Sequence, residues 1–155
     1  MPQASSLNAP IPAQVVVQFA LTSLMTAGQV VGGNIFPLGT QYSGSTQPTV
    51  PPDEVWHFVD IYTTAAKAGG DADFVINILV GTTPQYINID TAAILVTNNS
   101  RKNPFMSNPL TILPNKTWQV QAILDVAPTA ATETESVFID VLREPLASAL
   151  ARKGR

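Results

Sequence analysis

One pattern occurs twice in this chain and constrains it more than any other feature: a proline, three residues, a tryptophan, then alternation of side-chain character. Pro52-Asp-Glu-Val-Trp56 opens a run that ends at Tyr62, and Pro114-Asn-Lys-Thr-Trp118 opens one that ends at Val126. A period of two belongs to the extended strand, whose successive side chains point to opposite faces. In the first run it predicts Val55, His57, Val59 and Ile61 on one face, and Trp56, Phe58, Asp60 and Tyr62 on the other. The two tryptophan strands are therefore expected to be the pillars of a β-sheet core.

Similar runs lie at 14–24, 74–80 and 136–143, with shorter ones at 30–36, 85–90, 92–97 and 109–113. Turn residues separate them, among them Gly69-Gly70 in the polar 65–73 loop. Eight or nine short strands spaced by turns predict an all-β fold, a single jelly roll or a related antiparallel β-sandwich. Its expected core contains Val55, Val59, Ile61, Phe74, Ile76, Ile78, Trp118, Val120, Leu124, Val137 and Ile139. A chain of 155 residues fits one domain. Residues 1–13, with prolines at 2, 10 and 12, read as an extended arm that reaches a neighbouring subunit, and 14–143 as the sandwich. Residues 144–155 read as a short helix: Pro145 suits a first helical turn, good helix formers follow, and basic residues and Gly154 close it.

Charge is distributed unevenly. Charged residues make up 12% of the chain, about half the ~25% usual in soluble domains. From Met1 to Pro52 there is no Asp, Glu, Lys, Arg or His. Free surfaces and open sheet edges normally carry charge that resists association. A third of the chain without any points to burial, either in this fold or against neighbouring subunits, with Val16, Gln18, Ala20, Thr22, Ile35 and Phe36 as the expected contact residues. A net charge of −3 gives no electrostatic case for specific nucleic-acid binding. The apolar window 15–36 is broken by Gln18, Thr22, Ser23, Thr26, Gln29 and glycines, so it makes a poor membrane span. Any membrane contact falls to the basic C-terminal tail. No Lys or Arg precedes the first apolar run, which counts against a secretion signal.

Residues able to carry chemistry are few. Cysteine is absent, and His57 is the only histidine. One chain therefore assembles neither a Ser-His-Asp triad nor a histidine-rich metal centre, and His57 reads as structural. Asp71 and Asp73 could contribute oxygens to a calcium ion, but a third acid is missing nearby, and a solvated loop is the better reading. Asp60, Asp125 and Asp140 lie in predicted strands at positions that face solvent, a poor arrangement for a glycosidase pair. No catalytic residue, cofactor or metal is expected. Trp56 and Trp118 could offer stacking platforms for sugar rings, an alternative weighed against their burial in the core.

Three segments, PPDEVWHFVDIY, NPLTILPNKTWQVQAIL and ESVFIDVLREP, give the chain its overall texture. In that texture it resembles the small jelly-roll and β-sandwich structural proteins of virions, capsid or capsid-decoration and vertex proteins of double-stranded DNA viruses. The resemblance covers about residues 50–145. It implies two four-stranded sheets, self-assembly or binding to other capsid subunits, no enzymatic activity, and a working place in the virion after assembly in the host cytoplasm. The alternative function is a carbohydrate-binding sandwich that uses exposed tryptophans.

Overall fold

The first strand, β1 (Ile11–Thr22), pairs along its whole length with the last, β9 (Thr132–Pro145), from Ile11 opposite Arg143 to Thr22 opposite Thr132. The other pairings nest inside this one in the computed structural model, which describes residues 9–37, 44–64 and 71–154. Thus β2 (Val30–Gly32) pairs with β8 (Trp118–Val126), β4 (Glu54–Tyr62) with β7 (Leu110–Ile112), and β5 (Asp73–Val80) with β6 (Thr83–Asp90). A long antiparallel hairpin has in effect been wound up. The strand orders are β3-β1-β9-β4-β7 in one sheet and β2-β8-β5-β6 in the other, where β3 is Asn34–Pro37. Most connections cross between two packed sheets, those from β3 to β4 and from β5 to β6 staying within one, which is the connectivity of a jelly roll with one extra edge strand.

Inward-facing residues of both sheets make one core. From the five-stranded sheet come Val15, Val17, Phe19, Ile61, Ile139 and Val141, and from the four-stranded sheet Phe74, Ile76, Ile78, Val120 and Leu124. The edge-to-face pairs Phe58–Trp118, Phe58–Phe105 and Tyr86–Phe105 close one end of it. Phe105 is delivered by α1 (Pro104–Ser107), an unanticipated turn of helix that starts with Asn103 as N-cap and Pro104 in its first turn.

Several expectations need correction. The β4 alternation does not run unbroken, because a bulge lies between Phe58 and Asp60. The extra residue is Val59, which is 44% exposed and outside the core. Trp56, Phe58 and Ile61 face inward, while His57, Asp60 and Tyr62 share the outer face with their β9 partners Leu142, Asp140 and Phe138.

The run 30–36 is two strands. It crosses from one sheet to the other at Gly33, where a Cβ would lie 2.4 Å from Val17 Cγ1, 2.8 Å from Phe19 Cε1 and 3.1 Å from the Val120 carbonyl. Only glycine lets the backbone pass this close to both sheets. The run 92–97 is a set of turns with a single bridge, Leu95 to Thr63, because its backbone bonds are spent on tight local turns such as Ala93 to Asp90. Ile11, Pro12 and Ala13, expected in the arm, are the first residues of β1. Residues 1–8 of the expected arm, and most of the 65–73 loop, lie outside the described residues. The C-terminal helix forms, as α2 (Leu146–Lys153), but Glu144 and Pro145, expected in it, are the last residues of β9, with Pro145 as the helix N-cap.

Candidate functional site

The outer face of the five-stranded sheet holds almost every sequence-predicted contact residue. Directly paired residues of an antiparallel sheet project from the same side, so the register arranges this face in rows. One row is Phe36, Val16, Phe138 and Tyr62, across β3, β1, β9 and β4. Next to it run Asn34, Gln18 and Ser136, then Ala20 with Thr134, then Thr22 with Thr132. None of these side chains carries a charge at neutral pH. Ile35 does not belong with them: it pairs with Val17, faces inward and is fully buried. Val16, Gln18, Thr22 and Phe36 are half-buried, and Ala20 is exposed.

On the other side of the aromatic row the character changes to Gln14, Asp140 and Asp60, again in register. Arg101 reaches over from the 98–103 loop and clamps Asp60 with two bonds, Nη1 to Oδ1 at 2.8 Å and Nη2 to Oδ2 at 2.9 Å. The Asp60 carboxylate raises the pKa of the Arg101 guanidinium above its ordinary value. Tyr62 stacks on Phe138 with centroids 5.5 Å apart and also has the Arg101 guanidinium over its ring. Burial pushes the Tyr62 hydroxyl upward, and the charges of Asp140 and Asp60 add to the shift. The Gln14 amide nitrogen donates to the Tyr62 hydroxyl and, at 3.4 Å, to Asp140 Oδ1.

Helix α2 covers the end of this face, burying Val55 and Ala149. His57 Nε2 lies 2.6 Å from Glu144 Oε2, and Arg152 closes onto both oxygens of the same carboxylate. Burial alone would push the Glu144 carboxyl up, but the bonds from Arg152 and His57 outweigh it and hold the group below the usual range. Their joint work is to tie α2 to the sheet.

Elsewhere acids gather without forming an ion site. Thr129 donates its backbone N–H and its hydroxyl to Asp71, which lowers the Asp71 pKa. Glu133 contacts Asp71 and also Glu135, whose side chain is fully buried. The third acid that the Asp71 reading lacked thus comes from β9, but among the described residues no three acidic or histidine side chains are placed to hold a metal ion. Asp60 and Asp140 do meet, yet they lie side by side on an open sheet face with Asp60 neutralised, an arrangement unlike two carboxylates across a sugar-binding cleft.

The tryptophans are not ligand platforms. Trp56 is 5% exposed and Trp118 0%, because both project into the space between the sheets. The outer-face residues Phe138 and Tyr62 were not singled out from the sequence, and Asp140 was read there only as a solvent-facing acid. Alternation against Val137 and Ile139 would have placed Phe138 and Asp140 outside, but the β4 bulge hid Tyr62 from any count of period two. No family model matches this chain, and no curated protein matches it in sequence.

Proposed function

We propose that this protein is a structural, non-enzymatic jelly-roll subunit of a virion, a capsid or capsid-decoration component that self-assembles or binds capsid subunits through the outer face of its five-stranded sheet. The observation that carries the reading is the uncharged, partly aromatic patch made by β3, β1 and β9, which holds Val16, Gln18, Ala20, Thr22 and Phe36 together with Phe138. An unpaired charge inside such a contact costs several kcal/mol, whereas on free surface its effect is about 0.5 kcal/mol or less. The jelly roll adds the weight of fold analogy only, since capsid proteins, lectins and cupins share it. The carbohydrate-binding alternative loses its exposed tryptophans.

The test is sedimentation velocity over a range of concentrations for the wild-type chain and for Gln18→Lys and Thr22→Lys. Loss of association with an unchanged thermal midpoint supports the reading. A wild-type chain that stays monomeric throughout, alone and with its capsid lattice, overturns it.

A further inference from the structure

A shallow depression of about 380 Å³ opens on the outer face beside Asp140, where the start of β1 and the β4 bulge flank β9. Its walls are apolar, from Pro12, Ala13, Val59 and Leu142, and its polar end is Gln14 and Asp140. The extrusion of Val59 by the bulge is what supplies one of these walls. The Asp140 carboxylate is poorly satisfied. Among the described residues its one side-chain hydrogen bond is the 3.4 Å contact from Gln14, whose nitrogen is shared with Tyr62. Arg101 is committed to Asp60, so among the described residues the two facing carboxylates share a single guanidinium and one negative charge is left over.

A half-buried carboxylate at the end of an apolar trough fits an amphipathic cation, one with a charged head on a hydrocarbon stem. A neutral sugar fits poorly, because the nearest aromatic ring, Tyr62, is already engaged by Phe138 and Arg101. The chain carries a matching group on the same face. Helix α2 packs there on β9 and β4, Arg152 turns back to Glu144, and Lys153 stands exposed at the helix end.

We infer that the depression beside Asp140 receives the basic C-terminal end of a second copy, with Lys153 of one copy seated against Asp140 of its neighbour. This rests on the proposed assembly through the outer face and names the polar contact that sets its register. Hydrocarbon of the lysine stem covers Leu142 and Val59, while the ammonium supplies the donors that Asp140 lacks.

A charge swap in trans tests it. In sedimentation velocity on full-length chains, Asp140→Lys and Lys153→Asp are each expected to weaken self-association by about tenfold or more, since each sets like charges together. An equimolar mixture of the two variants should recover wild-type association, because every contact between unlike copies again joins opposite charges. A mixture that associates no better than its components overturns the inference, as does a single variant that associates like wild type. Those results leave the assembly reading standing, whereas a monomeric wild-type chain overturns both. Should Asp140→Lys lower the thermal midpoint, Asp140→Asn takes its place. It is expected to weaken association severalfold at an unchanged midpoint, and unaltered association overturns the contact.

Discussion

Trp56 and Trp118, one from each sheet, meet across the interior with ring centroids 6.3 Å apart and planes tilted by 59°. The recurrence that stands out in the sequence is therefore a physical contact, in which each proline-led strand delivers its tryptophan to the same layer. Phe58 packs edge-on against Trp118 at 5.0 Å. Replacing Trp118 by Ala is expected to destabilise the fold by about 3–5 kcal/mol, as for other large aromatic truncations, measured by urea unfolding. The Trp118 indole N–H has no hydrogen-bond partner among the described residues. Trp118→Phe removes that unpartnered donor along with some volume, so its cost should stay below about 2 kcal/mol.

Gly33 sets the point at which the chain leaves one sheet for the other. A methyl group there would press on the Val17 and Phe19 side chains and on the Val120 backbone, all in the packed interior. Gly33→Ala should cost on the order of 2 kcal/mol or more by overpacking. Gly28, whose φ is +84° and whose Cβ site is open space, is a control: its substitution by Ala acts through backbone conformation alone. Comparable losses at both positions would show that close packing at Gly33 is not the cause.

Glu135 makes stability depend on pH in an unusual direction. Burial first, then the neighbouring Glu133 and the Asp71 charge, push its carboxyl from 4.5 up to about 8. Between those values the folded chain keeps a proton that the unfolded chain has released, so the free energy of unfolding falls as pH rises and levels off above about 8. Glu135→Gln should abolish this slope. The variant is expected to match wild type near pH 4 and to exceed it by on the order of 2–4 kcal/mol at pH 8–9. Parallel curves of thermal midpoint against pH for the two chains would refute the assignment.

Glu144 acts in the opposite sense. Arg152 and His57 hold its carboxyl below 4.5, so its stabilisation is present above that value and is lost as pH falls through the lower folded value. Arg152 is 64% exposed and contributes modestly, about 0.5–1 kcal/mol, so Arg152→Ala should loosen α2 without unfolding the sandwich. Glu144→Ala leaves a hole under α2 and removes the acceptor that His57 and Arg152 share. Faster amide hydrogen exchange confined to 146–153 is the expected signature, and protection unchanged from wild type would exclude the tie.

Much of this was legible in the sequence. Alternation marked both tryptophan strands, β5 and β9, Pro145 marked the start of α2, and the lack of charged residues before Asp53 singled out the β1 face. These features are local: side-chain period, turn chemistry and capping act over a few residues and survive in a one-dimensional reading. The exposed position of Val59 was not legible, because a bulge arises from fitting β4 against both β7 and β9 and leaves the composition of the strand unchanged. Nor was the division at Gly33, since one short apolar run with two glycines reads as a single weak strand until two sheets compete for it.

The sequence by itself determined the all-β class, the faces of the regular strands and the uncharged first third of the chain. Only the tertiary structure decided which acids and bases meet: Asp60 with Arg101, Glu54 with Arg143, and Glu144 with His57 and Arg152. Asp60 and Arg101 are 41 residues apart, and Glu54 and Arg143 are 89 apart. Over such separations the pairing is set by the nested winding of the hairpin, and winding is a property of how two whole sheets pack, to which no short stretch of sequence is sensitive.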